Sequence, residues 1–274
     1  VTSPAAPSPT TASTLTPTRR TVLGAAAWTV PAITVAGAAP AYAASRCVTT
    51  SHTVSWSAAM WTPDATNQNA TRGTIPAVSG TPGAPAVTLT VTRQFFGNMV
   101  AAAQNPLMNM QISSDTVGGT GARGLTLLQQ QNQSTANPGA GQNVHDHRQT
   151  VTFTFSEEVK NLRFSVTDVD NYWQGTNPAN SRQYRDRVYV SGAPTATTSL
   201  LGSGTQSDPW HRPDSLGAVD NATSGEGNVT LDYGSTALQQ VQMTFFNGYN
   251  RPLVSNGIHA VFISSMTFDV ETCA

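Results

Sequence analysis

Three aspartates at the ends of apolar strand patterns are the side chains whose types and spacing point most directly to chemistry. In "NLRFSVTDVDNYW", residues 161–173, Leu162, Phe164 and Val166 alternate as the buried face of a strand does. The same period of two runs on to Asp168 and Asp170. In "YRDRVYV", Asp186 is in phase with Val188 and Val190. A carboxylate in a core-facing row is costly unless something compensates it, and three compensations fit the pattern. Loop N–H groups can bond the acids, with Arg185 or Arg187 as ion-pair partners. A Ca²⁺ ion can be held by Asp168, Asp170 and Asp186, with Asn171 and Asn177 close by in sequence. A carboxylate pair with separated pKa values can carry out acid–base catalysis.

Aromatic residues flank these acids. Tyr172 and Trp173 follow Asp170 after Asn171, and "SDPWHRPD" sets Trp210 and His211 in another long loop, with Trp61 and Tyr249 as further loop aromatics. Rings beside carboxylates and amides make a sugar platform, the ring covering an apolar sugar face while polar groups take the hydroxyls. The competing expectation is that the tryptophans close the ends of the core. His145 and His147 in "VHDHR" share a face if that segment is extended, which is half of a zinc site without its remaining ligands. No serine sits in a nucleophile elbow, and "GTGARG" lacks the Lys-Ser/Thr of a phosphate loop.

The elements expected to position these groups are strands. "AVTLTVTR", "QTVTFTFS", "LRFSVTD", "DRVYVS", "NVTLDY", "LQQVQMTFF", "IHAVFIS" and "MTFDVE" all alternate apolar with polar residues. "SEEVKN", 156–161, reads as a tight turn that makes 149–168 a hairpin. "GNMVAAAQNPLM" is the one helix-like piece, limited by Pro106. Pro- and Gly-rich stretches such as "TIPAVSGTPGAPA" separate the strands. The fold class expected is all-β, an antiparallel two-sheet sandwich of jelly-roll type, as one domain over residues 44–274.

Residues 1–43 read as an address, unstructured or helical, rather than as part of that domain. Arg19 and Arg20 precede a mildly apolar run that ends in "AYA", Ala41 to Ala43. This resembles a twin-arginine signal peptide of bacteria, which implies a translocase and a signal peptidase as partners in export and a secreted product. The run contains Gly24, Pro31 and Gly37, too weakly apolar for a stable membrane span. With 14 basic and 15 acidic residues the formal net charge is −1, and loss of the two arginines makes it more acidic. That balance argues against nucleic acid as a partner. In an oxidising compartment Cys47 and Cys273 are expected to pair, setting the first and last strands side by side.

Taken together, "VTFTFSEEVKNLRFSVTDVDN", "YRDRVYVSG", "VQMTFFNG" and "VFISSMTFDV" resemble uncharacterised β-sandwich modules of secreted and surface proteins of bacteria. The resemblance implies the sandwich and the extracellular setting but no reaction. The expected function is a secreted, non-catalytic module that binds glycan or cell envelope through an acidic or Ca²⁺ rim. One alternative is an extracellular polysaccharide hydrolase or lyase using Asp168, Asp170 or Asp186 with His211 or Arg187. A second is a surface component that self-associates through strand edges.

Overall fold

The computed structural model describes residues 46–131, 144–173, 182–248 and 258–273. Arg19, Arg20, Ala41 and Ala43, expected from the sequence to mark an export signal, lie outside them, as do Asn177, Tyr249 and the side chain of Trp173. The compact unit runs from Cys47 to Cys273. It opens with β1 (Cys47–Val54), β2 (Thr62–Pro63), β3 (Arg72–Ser79), β4 (Val87–Phe95), β5 (Met99–Ala101) and β6 (Ala103–Gln104). Next come β7 (Leu107–Met108), β8 (Ile112–Thr116), β9 (Arg123–Gln131), a 3₁₀ turn (Val144–Asp146), β10 (Arg148–Thr167), β11 (Asn171–Trp173) and β12 (Arg182–Val190). The last five are β13 (Thr195–Thr198), β14 (Val229–Asp232), β15 (Leu238–Asn247), β16 (His259–Ile263) and β17 (Met266–Cys273). Among the described residues there is no α-helix, and no helix long and apolar enough to cross a membrane. The class is all-β, and the strand pairs are antiparallel.

β10 organises the molecule. Its first part pairs with β4 on one side and β15 on the other, and β15 carries β12 in turn. Its second part pairs with β17, β14 and β16. Phe153 and Phe155 from the first part meet Phe164 of the second part and Phe268 of β17, with ring centroids 5.8 and 4.9 Å apart. All four rings are buried, and each buried aromatic contributes roughly 1.5–3 kcal/mol.

The expected hairpin over 149–168 is therefore one strand of 20 residues. Where the turn was expected, the registers with β15 and β17 shift instead, between Thr154 and Val159 and between Lys160 and Arg163. Asn161 takes φ +52°, a left-handed conformation that Asn tolerates. Its N–H donates to Gly234 O at 2.6 Å and its amide to Asp269 Oδ2 at 2.8 Å. The polar "SEEVKN" run is thus an exposed irregularity within a strand, not its end.

The helix-like segment is also corrected. Met99–Ala101 pairs with β9, and β6 and β7 form a small hairpin around a cis Asn105–Pro106 bond. Partner strands outweigh the helical propensity of the alanines. Cys47 and Cys273 face each other at the end of the β1–β17 ladder and are bonded, with Cα atoms 4.0 Å apart.

Candidate functional site

β10 ends at Thr167, and Asp168 follows with φ +67°. A non-glycine residue held there is strained, and such strain is maintained by surrounding bonds. Here the next residue, Val169, donates its N–H to Gly227 O at 2.9 Å. The strict period of two breaks at this point: Val166, Thr167, Val169, Asp170 and Asn171 are all buried. Asn171 holds the facing loop, its amide donating to Arg212 O, Pro213 O and Leu216 O at 3.3, 3.0 and 3.1 Å.

Asp170 and Asp186 are tied backbone to backbone and backbone to side chain. Asp186 N–H donates to Asp170 O at 2.8 Å, and Asp170 N–H donates to Asp186 Oδ2 at 3.2 Å. Asp170 Oδ2 accepts the Val219 N–H at 2.8 Å, and the Tyr184 hydroxyl also bonds this carboxyl. Asp186 is fully buried, and its Oδ1 lies 2.7 Å from His259 Nδ1. The His259 ring is held between Phe245 and Tyr184, with centroids 4.6 and 5.5 Å away, and Tyr184 stacks in turn on Tyr172. His259 Nε2 and Asp168 Oδ1 are buried without hydrogen-bond partners.

Of these groups, Asp168, Asp170, Tyr184, Val219 and His259 line a pocket of about 300 Å³, and Asp186 is reached only through His259 and Asp170. One wall is the β6–β7 hairpin with Asn105 and Pro106. Asp168, Asp170 and Tyr184 form the second, Val219 and Asn221 the third, and the start of β16 with His259 the fourth.

The electrostatics favour neutral groups. Burial pushes Asp170 up to about 8, with the neighbouring Asp186 adding to the shift. Asp168 is pushed well above the ordinary carboxylate range by burial and then by Asp170, Asp186 and Asp220. Burial also raises Asp186 and lowers His259 to about 3. At neutral pH the pocket therefore presents carboxylic acids, a phenol and an uncharged imidazole, a set rich in both donors and acceptors.

The three aspartates thus reach one corner, but not as a three-carboxylate ion cage. Among the described residues, the one trio of metal-ligating side chains with ligand atoms all within 4.8 Å is Cys47, Glu271 and Cys273. Its cysteines are already joined to each other. Asp186 has both oxygens engaged by Asp170 N–H and His259. The arginines pair with Asp214, Arg185 at 2.9 Å and Arg187 at 3.4 Å, and Arg187 also donates to the Asp186 backbone O at 2.9 Å, its charge acting on the Asp186 carboxyl.

Other expected site residues separate from the pocket. Trp210 is 3 % exposed in the core, so it offers no ring face to a ligand. Trp210 bridges to Val188 and His211 to Leu201, with His211 Nδ1 2.8 Å from Pro209 O. Tyr172 is partly exposed, next to the pocket's own Tyr184. Trp61 is buried, its indole N–H donating to Met110 O at 3.0 Å. His145 and His147 do not share an extended face: His145 belongs to a 3₁₀ turn and packs on Phe246, while His147 Nδ1 accepts the Asn98 N–H.

Two central residues were missed, and both carry the strand pattern that found the aspartates. Tyr184 is in phase with Asp186 and Val188, and His259 with Val261 and Ile263. No protein-family model, curated protein or solved structure matches the chain.

Proposed function

We propose that the protein is an exported, jelly-roll-like β-sandwich that binds carbohydrate in the pocket at its acidic strand ends. The observation that carries this reading is the pocket's lining: acid, amide and imidazole groups around the ring of Tyr184. Carbohydrate hydroxyls both donate and accept, and a carboxylic acid kept neutral by burial can do the same. Tyr184 is already stacked on His259 and Tyr172, so Pro106, Leu107 and Leu128 supply the apolar surface that a pyranose face covers. The volume, about 300 Å³, lies at the small end of ligand sites and suits one or two sugar rings rather than a long segment.

Export is supported by the paired arginines and "AYA" ahead of the domain, and by a disulfide that suits an oxidising compartment. Electrophoresis of the protein through gels containing soluble xylan, galactomannan, laminarin or pullulan tests the binding. At least one polysaccharide retards the wild type, and Asn221→Ala and Asp168→Asn weaken the retardation about tenfold, the worth of a buried polar contact. Unchanged mobility of the wild type in every gel ends this reading.

A further inference from the structure

We infer that His259 and Asp186 form an acid–base dyad that activates water to hydrolyse a glycosidic bond in the pocket, with Asp168 donating the proton to the leaving oxygen. This rests on the carbohydrate reading above and adds a reaction to it.

The geometry of His259 is that of an oriented base. One ring nitrogen is fixed on a fully buried carboxylate at 2.7 Å, while Phe245 and Tyr184 hold the ring plane. A base positioned by a second group in this way is the arrangement that activates nucleophiles. The other nitrogen, Nε2, has no partner although the residue is only 2 % exposed and lines the pocket. An orphaned nitrogen in that setting is expensive, and packing alone gives no reason to keep it there. A phenyl or leucyl group would fill the same space without the penalty.

Asp168 completes the pair from another wall. Its backbone is held left-handed, its Oδ1 is unpartnered, and it borders the same pocket. Burial keeps its carboxyl protonated, the form a proton donor requires. His259 is uncharged at neutral pH, so Nε2 can accept a proton, and the Asp186 carboxylate on Nδ1 has to restore the basicity that burial takes from the ring.

The step balances with water as the only co-reactant. A water molecule gives one proton to His259 Nε2 as its oxygen bonds to the anomeric carbon. The bond from that carbon to the glycosidic oxygen breaks, and its electron pair stays on the leaving oxygen. That oxygen takes the Asp168 proton and departs as an alcohol, leaving a hemiacetal sugar. The proton on His259 passes through solvent to the Asp168 carboxylate, restoring both groups. Burial raises Asp186, but the Asp170 N–H, the Nδ1–H of His259 and the charge of Arg187 all favour its carboxylate, and in that form it offsets the positive charge on the imidazole while it lasts.

The test uses the full chain and the four polysaccharides named above, with reducing ends as the readout. Wild type releases reducing ends from the polysaccharide that retards it. His259→Asn keeps a donor toward Asp186 but has no second nitrogen, so kcat falls about 100-fold or more while KM changes far less. Asp168→Asn is equally slow on polysaccharide, but recovers on a nitrophenyl glycoside, whose leaving group needs no proton; His259→Asn does not recover. Wild type that is retarded yet releases nothing overturns the dyad and leaves carbohydrate binding standing, whereas wild type that is not retarded removes both. A substrate-free measurement decides independently. Long-range ¹⁵N–¹H spectra at neutral pH place the His259 proton on Nδ1, and a proton found on Nε2 overturns the assignment.

Discussion

Asp170 couples the pocket to stability. Its folded pKa of about 8 lies above the ordinary 3.8, so between those values the folded chain holds a proton that the unfolded chain has lost. Stability is therefore greatest at the acid end of this window, falls as pH rises from about 4 to about 8, and levels off above it. Asp168 and Asp186 are shifted the same way, with Tyr184, His259, Arg187, Arg212 and Asp220 among the ionisable groups nearby. The urea midpoint of wild type is expected to decline from pH 5 to pH 8, and Asp170→Asn, which cannot ionise, to decline less. Equal slopes in the two proteins would remove Asp170 from this account. The side chains that make the pocket were partly legible in sequence. Period-two alternation placed Asp186 inward within its strand and pointed to Asp170 although the alternation itself breaks after Thr167, and the same rule applied to "IHAVFIS" finds His259. Its pairing with Asp186 was not legible, because 73 residues separate them and only the strand order brings them together. Trp210 misled for a related reason: a loop-like sequence, "SDPWHRP", bridges to Val188 and takes its tryptophan into the core.

At the scale of elements, the irregular stretch of β10 is what lets one strand serve two sets of partners. Asn161 fixes it through a left-handed backbone and two hydrogen bonds. Asn161→Gly keeps the conformation and loses only the side-chain bond, for a cost of about 1 kcal/mol. Asn161→Val must bear the left-handed conformation with a branched side chain and costs about 2–3 kcal/mol. Denaturant titration of the two variants checks the order, and a valine variant as stable as the glycine variant would mean the strand does not need that backbone. Strand existence was readable because "VTFTFS" and "LRFSVTD" each alternate clearly. Their continuity was not, since "SEEVKN" has the charge and polarity of a turn, and no local pattern distinguishes a bulge from one. The β5–β7 region failed for the opposite reason: alanine-rich residues favour a helix locally, and pairing with β9 overrides that preference.

Across the whole molecule, the disulfide closes the longest possible loop in the compact unit, 226 residues of separation. In the chain-entropy model such a loop restrains the unfolded state by about 5 kcal/mol, an upper figure. Reduction, or Cys47→Ser with Cys273→Ser, is expected to lower the denaturant midpoint substantially while leaving the β-rich circular-dichroism spectrum intact under native conditions, because the β1–β17 ladder has seven paired positions besides the cysteine pair. Loss of that spectrum on reduction would show that the ladder depends on the bond. This pairing was the long-range feature that the sequence made plainest, since two cysteines leave a single way to join within one chain. The clasp also governs what a single cleavage can do. A protease that cuts once anywhere between residues 47 and 273 produces two fragments that still travel together, so damage to one loop neither frees a strand nor lowers the mass until a reductant arrives.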